Sequence, residues 1–222
     1  MQVSMVDAPA SGYDSVIVVV TGVAVQSNTS SQSWITLSSE TKTYNLLTLV
    51  NGVEAVLGET QLSAGTYSQM RLVLGDSCWI YASGVKLALK VPSNEIKLNI
   101  HATIQADVKY KLVLDFDANR SLVSAGLGLI MKPVIKVLTT ETTGFISGSV
   151  NTKASVYAYG NGDTLSTSTG TSNNFKLMYA TPGTYSVMIQ SADIAYYDST
   201  IANVVVTQGQ VTNMGSIALR LK

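Results

Sequence analysis

The sequence predicts an all-β protein built from two β-sandwich domains, the first with one short helix. Short runs that alternate apolar and polar residues, as half-buried strands do, recur between turns rich in Gly, Pro and Asn. In addition, residues 62–74 and 180–191 share one pattern, a turn with Gly65 or Gly183 followed by Thr-Tyr and a strand. Two such units far apart in the chain indicate two β domains of related design.

The first domain is expected to span residues 1–138. Residues 1–6 form a short first strand, and residues 13–26 form a long Val-rich strand in which Gly22 predicts a bulge or bend. Further strands are expected at residues 34–37, 62–74, 78–81, 85–89, 96–104 and 108–117, with a hairpin across Ser83-Gly84. Pro133 marks the last strand, residues 129–138, as an edge or bulged strand, because proline has no N–H to donate.

Strict alternation also predicts which side chains face the core. In residues 96–104 the apolar side chains face inward, whereas Lys97 and His101 face outward. In residues 62–74 the same rule places Tyr67 and Arg71 on one face and Met70 on the other.

The short helix of the first domain is predicted at residues 44–52. Asn45 can cap its start, and Asn51-Gly52 is a typical helix end. The apolar residues between them lie on one side of such a helix, which must dock on a sheet because so short a helix is unstable alone.

The polar segment at residues 139–143, Thr-Thr-Glu-Thr-Thr, is the predicted linker because it lacks apolar periodicity. The second domain is expected to span residues 144–222 and to form a smaller sandwich. Its strands are predicted at residues 144–150, 154–159, 175–179, 185–190, 203–206 and 211–221, with a loop at residues 160–172 that does not fit a phosphate-binding loop.

Composition excludes several classes of protein. With 46% apolar residues the chain can bury ordinary cores, and with a formal net charge of zero it lacks the basic excess of a nucleic-acid-binding protein. No apolar run is long enough for a membrane-spanning helix. Cys78 is the only cysteine, so no intramolecular disulfide forms, and its apolar strand context favours a packed small residue over a reactive thiol.

The sequence also argues against catalysis and cofactors. His101 is the only histidine and lies on a polar strand face, so a nucleophilic triad lacks its base. One His and one Cys far apart do not make a zinc site. We therefore expect a protein that is not an enzyme and that needs no cofactor.

Asp115, Asp117 and Asn119 are the most site-like cluster, since D-x-D-x-N supplies oxygen ligands at the alternating spacing of calcium loops. Arg120 and Gly126 stand where an EF-hand requires Gly and Glu, so that motif is excluded. The main alternative is structural: ion pairs with Lys109 and Lys111, and a turn at Asn119. Asp115 and Asp117 are also the candidates for a rival function, a carboxylate-dependent hydrolase.

Tyrosine is abundant in the second domain. Tyr157, Tyr159, Tyr196 and Tyr197 are the candidate binding residues, because exposed tyrosines stack on sugars or bind proteins. Packing in the core and at its rim is the favoured alternative for this set, which also includes Tyr179 and Tyr185.

The first domain resembles a bacterial and archaeal family known as domain of unknown function 4382. The resemblance rests on D-A-P-A at residues 7–10, Y-N-L-L-T-L-V-N-G at 44–52, L-S-A-G-T-Y-S-Q-M-R-L-V-L at 62–74, L-K-V-P-S at 89–93, L-D-F-D-A-N-R-S-L-V at 114–123 and K-P-V-I-K-V at 132–137. It implies an exported, lipid-anchored surface protein with a β-sandwich fold and no known activity.

The second domain resembles the transthyretin-like or carboxypeptidase-regulatory-like sandwich. The matching pieces are G-F-I-S-G-S-V at residues 144–150, A-S-V-Y-A-Y at 154–159, F-K-L-M-Y-A-T-P-G-T-Y-S-V at 175–187 and V-V-V-T-Q-G-Q-V-T-N-M-G-S-I-A-L at 204–219. This resemblance implies a spacer or accessory module and says almost nothing of function.

Together these features predict a non-catalytic, extracytoplasmic surface protein, on the cell surface or in the periplasm, that acts as a binding or spacer module. Its expected partner is a cell-surface protein or glycan, and we expect membrane contact only through a lipid anchor outside these 222 residues. The alternatives are a carbohydrate-binding protein or hydrolase, and a filament subunit assembled by strand exchange through residues 1–6 or the edge at Pro133. A monomer is favoured, because residues 1–6 are expected to pair within their own domain.

Overall fold

The computed structural model describes residues 1–7, 12–28, 33–126, 128–139 and 142–222. Over these residues the protein consists of β-sheets with one turn of 3₁₀-helix and one turn of α-helix, which confirms the predicted all-β fold class. It divides into two compact units: the first comprises Met1–Leu49 and Glu54–Val137, the second Val50–Val53 and Leu138–Lys222. In the described part of the chain, no helix is both long and apolar enough to cross a lipid bilayer.

The strands up to residue 139 form two sheets. They are β1 (Gln2–Asp7), β2 (Ser15–Ser27), β3 (Trp34–Ser38), β4 (Lys42–Asn45), β5 (Ala55–Glu59), β6 (Gly65–Leu74), β7 (Cys78–Ala82), β8 (Val85–Lys90), β9 (Glu95–Ile104), β10 (Lys111–Phe116), β11 (Leu122–Ala125), β12 (Gly128–Met131) and β13 (Ile135–Thr139). Among described residues, one sheet has the order β13-β10-β1-β5 and the other β11-β12-β8-β7-β2-β6-β9, with β3 and β4 also paired to β2. Inward side chains of both sheets, such as Met5, Leu72 and Leu114, form one hydrophobic core.

Strand β1 lies inside its sheet. It pairs along its whole length with β10 in parallel and on its other side with β5 in antiparallel register. Val3 and Met5 have no exposed surface. The first strand therefore pairs within its own unit, and it could be donated to another molecule only by opening the sheet.

The predicted helix at residues 44–52 is shorter than expected. Residues 42–45 continue as β4, paired with β2, and only Leu46–Thr48 form a helical turn, of the 3₁₀ type. The predicted cap is correct, since the Asn45 side chain accepts a hydrogen bond from the Leu47 N–H (3.3 Å). β4 extends because its backbone has a partner in β2, and a paired strand outweighs a weak local helix preference.

The first unit also contains a second helical turn that was predicted as a plain turn. Ala118–Ser121 form α1 directly after β10, with Asp117 at the N-cap. Asp7, at the end of neighbouring β1, accepts a hydrogen bond from the Ala118 N–H through its Oδ1 (2.9 Å). Two aspartates thus satisfy N–H groups at the start of this turn.

Irregular strand pairing appears where glycine predicted it and also where it was not predicted. The register of β2 against β6 shifts between Val20 and Gly22, as expected for a bulge. A second shift, between Gln26 and Ser27 of β2, comes from one extra residue in β6 between Tyr67 and Gln69. The prediction that Tyr67 shares a face with Arg71 is therefore wrong: Tyr67 is buried with Met70, because an extra residue reverses the alternation.

The long final strand predicted at residues 129–138 is two strands in different sheets. β12 pairs with β11 and β8, whereas β13 is the edge strand beside β10. Pro133 lies in the break between them, which agrees with its predicted effect on strand pairing.

The second unit is a sandwich of seven strands over its described residues. They are β14 (Gly144–Val150), β15 (Ala154–Gly160), β16 (Asp163–Ser168), β17 (Asn174–Ala180), β18 (Gly183–Ser191), β19 (Ser199–Val206) and β20 (Val211–Ile217). One sheet has the order β17-β14-β20 and the other β16-β15-β18-β19. Part of the predicted loop at residues 160–172 is strand β16, which forms a hairpin with β15 across Asn161-Gly162. Both turn residues have positive φ (+51° and +70°), the conformation of a tight hairpin turn.

The core of the second unit is separate from that of the first. It contains the inward side chains of both sheets, among them Val156, Leu177, Val187 and Ile189, each at most 1% exposed. The predicted linker at residues 139–143 falls partly outside the described residues, as does the D-A-P-A motif at residues 7–10.

The repeated sequence pattern forms the same local structure in both units. Gly65 and Gly183 have φ of +153° and +150°, a conformation that is essentially restricted to glycine. Two residues later a buried tyrosine donates its hydroxyl to the carbonyl four residues upstream: Tyr67 to Ser63 (3.0 Å) and Tyr185 to Thr181 (2.8 Å). Each tyrosine therefore ties the entry loop to the strand that follows.

Candidate functional site

Asp117, the central residue of the predicted calcium cluster, is engaged with its own helical turn. Its Oδ1 accepts a hydrogen bond from the Arg120 N–H (2.9 Å), and its Oδ2 lies 4.0 Å from the Arg120 guanidinium. Asp115 is half-buried on β10, and Asn119 is exposed in α1. Within the described ranges no group of three or more His, Cys, Asp or Glu side chains is arranged to hold a metal ion.

The lysines near this cluster pair with glutamates. Lys109 Nζ lies 2.9 Å from Glu59, and Lys111 Nζ lies 2.6 Å from Glu54. The ion pairs of these lysines are therefore with glutamates from the segment around β5, whereas the sequence predicted pairs with Asp115 and Asp117.

The single histidine and cysteine occupy the environments that the sequence predicted. His101 is exposed on β9. Cys78 is buried, and its Sγ contacts the Gly75 carbonyl (3.4 Å) and the Val19 N–H (3.5 Å). Burial raises the pKa of the Cys78 thiol, so that the unreactive protonated form is favoured.

Tyr157 and Tyr159 come together on the outer face of β15. Alternate residues of this strand, Ala154, Val156 and Ala158, are buried, so the two tyrosines between and after them point away from the core. Their rings are nearly parallel (13°), with centroids 6.3 Å apart, and Tyr159 is 42% exposed.

Uncharged side chains flank this tyrosine pair on both neighbouring strands. The register places Ser166 and Met188 beside Tyr157, and Thr164 and Ser186 beside Tyr159. We call this surface, Tyr157 and Tyr159 with these four neighbours, the tyrosine face. It combines two aromatic rings with hydroxyl groups and contains no ionisable acid or base other than the tyrosines themselves.

The other candidate tyrosines occupy different places. Tyr196 and Tyr197 lie between β18 and β19; Tyr196 packs against the core and bridges to Leu221, and Tyr197 is exposed near the Lys222 ammonium. Tyr179 and Tyr185 are each 1% exposed and belong to the interior. The tyrosines thus divide between core and surface, and among the described residues only Tyr157 and Tyr159 form a pair of surface rings.

The outer face of the other sheet carries a concave site that sequence reasoning missed. Ser147 and Ser149 on β14 form its floor, Asn174 and Lys176 on β17 one wall, and Asn213 on β20 the other. We call it the polar trough; its volume is about 500 Å³. The alternation of β14 signals that the two serines face outward, but only strand register brings β17 and β20 beside them.

Asn51 braces the wall of the polar trough inside the second unit. Its side chain accepts a hydrogen bond from the Lys176 N–H (2.7 Å) and donates to the Asn174 carbonyl (3.2 Å). Its own N–H donates to Thr167 Oγ1 (3.1 Å). The residue predicted to end a helix therefore serves as a partner for the backbone of strand β17.

A third surface cluster lies on the outer face of the large sheet, where the Arg71 side chain is engaged by Trp34 and Glu95. The Arg71 guanidinium lies 4.1 Å from the centroid of the Trp34 ring. It also forms an ion pair with Glu95 (3.2 Å). These contacts give Arg71 a structural role across β3, β6 and β9.

The first unit matches a known protein family. The family model described as "Domain of unknown function (DUF4382)" matches residues 1–133. The chain belongs to this family. Residues 1–133 include β1 to β12 and both helical turns, so the family accounts for nearly all of the first unit. The comparison with curated proteins gives no match.

Solved structures share only a distant likeness with the chain. The Bacillus anthracis TIE protein is 11% identical with a TM-score of 0.30, over 98% of this chain and 39% of that one. GBS52, the minor pilin of Streptococcus agalactiae, is 11% identical with a TM-score of 0.27, over 100% and 96%. A streptococcal ancillary pilin is 10% identical with a TM-score of 0.27, over 100% and 62%. The chain therefore spans well under two thirds of the TIE protein.

Proposed function

We propose that the protein is a non-catalytic module of an extracytoplasmic surface that binds a neutral glycan on the tyrosine face. The observation that carries this proposal is the pair of nearly parallel rings of Tyr157 and Tyr159 on an outward strand face. Sugar rings present apolar C–H faces that pack on aromatic rings, and their hydroxyls hydrogen-bond with Ser and Thr side chains.

The absence of charge on the tyrosine face favours a neutral ligand. Its four flanking side chains are three hydroxyls and one thioether, from Thr164, Ser166, Ser186 and Met188. Such a surface offers an acidic ligand no cation, whereas each hydroxyl both donates and accepts a hydrogen bond. Rings held on a paired strand also lose little conformational freedom on binding.

The proposal that the module is non-catalytic is supported by the structural use of one of its two candidate carboxylates, Asp117. Asp117 caps α1 and lies beside Arg120, so its oxygens serve the fold. We also propose that the protein acts as a monomer, which is supported by the pairing of β1 on both sides within its own sheet.

A neutral-glycan array, followed by titration calorimetry with the best ligand, tests the function. We expect Tyr159→Ala to weaken binding by about tenfold or more, as for aromatic residues at the centre of binding sites. Tyr197→Ala is the matched control, because it removes a ring elsewhere in the second unit that is at least as exposed as that of Tyr159. Binding that survives Tyr159→Ala, or an array without any bound neutral glycan, would contradict the proposal.

A further inference from the structure

We infer that the polar trough is a second binding site in the second unit, and that it takes an acidic saccharide through the carboxylate of a uronic acid. The site lies on the β17-β14-β20 sheet, whereas the tyrosine face lies on the other sheet. The inference does not depend on the proposed function of the tyrosine face.

The shape of the polar trough follows from small residues between larger ones. Ser147 faces Lys176 on one side and Asn213 on the other in the strand register. At Ser147, β14 therefore has a short hydroxyl side chain where both neighbouring strands carry longer ones. The resulting volume of about 500 Å³ lies within the range of about 300–1,000 Å³ for small-molecule sites.

Gly148 also helps to shape the floor. A Cβ at this position would lie 2.8 Å from the Phe175 ring and 3.1 Å from the Gly215 carbonyl. The absence of a side chain lets the buried ring pack directly against β14. A larger residue would push the two strands apart and distort the floor.

The polar trough combines one positive charge with several side chains that can donate hydrogen bonds. Its lining contains one cation, Lys176, and no Asp or Glu. The amide oxygen of Asn213 accepts a hydrogen bond from the Gly215 N–H (2.9 Å), so its NH₂ group is the end left to donate. A ligand that fits this set carries a negative charge and several acceptor oxygens, as a uronate does.

The ammonium of Lys176 is positioned for an anion. It lies 4.9 Å from the centroid of the Phe145 ring, above the outer face of β14. No carboxylate within the described ranges forms a salt bridge with it. A weak cation–π contact holds the charge in place while leaving it available for a stronger carboxylate partner.

The specific prediction is a preference for acidic over neutral sugars. We expect a galacturonic acid trimer to shift backbone amide NMR signals of β14, β17 and β20 in the full-length protein. The neutral galactose trimer should bind about two- to fivefold more weakly, the size of effect expected for one accessible ion pair. This preference should shrink as salt is raised, because exposed charges are screened.

Charge variants separate this site from general surface effects. Lys176→Gln should abolish the preference for the acidic trimer, and Lys176→Arg should keep it. Asn213→Asp adds a negative charge without changing the size of the side chain, and it should weaken binding of the acidic trimer relative to the wild type. Lys153→Gln is the matched control, since Lys153 donates to the Gly170 carbonyl outside the trough lining.

The outcomes are distinguishable from those of the tyrosine face. Tyr159→Ala should leave uronate binding unchanged, and Lys176→Gln should leave neutral-glycan binding unchanged. Three outcomes would overturn the inference. The first is equal binding of the two trimers, and the second is a preference for the acidic trimer that survives Lys176→Gln. The third is the absence of any signal shift up to about 10 mM ligand, since a dissociation constant above that concentration means very weak binding.

Discussion

At the scale of single residues, the two units share the same local structure at the start of one strand each. In each, a glycine with φ near +150° precedes Thr-Tyr, and the buried tyrosine hydroxyl donates to a carbonyl four residues upstream. Burial raises the pKa of the Tyr185 hydroxyl, so the donor form is retained at neutral pH. This local structure lets a large ring fill the core while its polar end is satisfied by the backbone.

The hydroxyl contribution can be measured with tyrosine-to-phenylalanine variants. Tyr67→Phe and Tyr185→Phe should each lower the free energy of unfolding by about 1 kcal/mol, because the accepting carbonyl loses its partner. Urea denaturation measures the loss. Tyr197→Phe, at an exposed ring, should change stability by less than about 0.5 kcal/mol. Equal small effects in all three variants would show that the hydrogen bonds contribute little.

At the scale of elements, the short helix α1 explains the cluster that suggested calcium. Asp117 precedes Ala118–Ser121 and accepts the Arg120 N–H, which is the standard position of a capping aspartate. Ser121 Oγ in turn accepts from the Val134 N–H (2.9 Å), which connects the helical turn to the break between β12 and β13. The Asp117 carboxylate thus caps the turn between β10 and β11, and Ser121 of that turn holds the break between β12 and β13.

The structural role of Asp117 predicts a specific pattern of stability. Asp117→Ala should destabilise the protein by about 1 kcal/mol, whereas Asp117→Asn, which can still cap, should cost less. Calcium or a chelator should leave the melting temperature of the wild type unchanged in differential scanning calorimetry. A melting temperature that rises with calcium in the wild type but not in Asp117→Ala would contradict this role and support a metal site.

At the scale of the whole molecule, the described residues form two hydrophobic cores from different parts of the chain. The first contains Leu72 among its fully buried residues, and the second contains Leu177. Residues Val50–Val53, which interrupt the first unit in sequence, group with the second unit. Each core has its own pair of sheets, so each unit has its own source of hydrophobic stabilisation.

Separate cores predict separate responses to core mutations. Leu72→Ala and Leu177→Ala should each cost about 2–5 kcal/mol, since each leaves a cavity. Calorimetry should resolve two transitions, with Leu72→Ala lowering only the midpoint of the first unit and Leu177→Ala only that of the second. A single transition that both variants shift equally would show that the two units unfold as one.

The sequence alone determined the features that depend on local patterning. Period-two alternation identified β9 and its inward Ile100 and Ile104, and Gly-containing turns identified the hairpin at Ser83-Gly84. It also identified the cap at Asn45. These outcomes follow from neighbours close in the chain, whose geometry the residue types themselves restrict.

Tertiary structure decided everything that depends on pairing between distant segments. β4 replaced part of the predicted helix because β2 offered hydrogen bonds, and one extra residue in β6 after Tyr67, relative to β2, turned that ring inward. The polar trough exists only because register sets Lys176 and Asn213 on either side of Ser147. Strand partners and register are chosen by packing across the whole sheet, and a one-residue shift exchanges its two faces, so no local pattern can specify them.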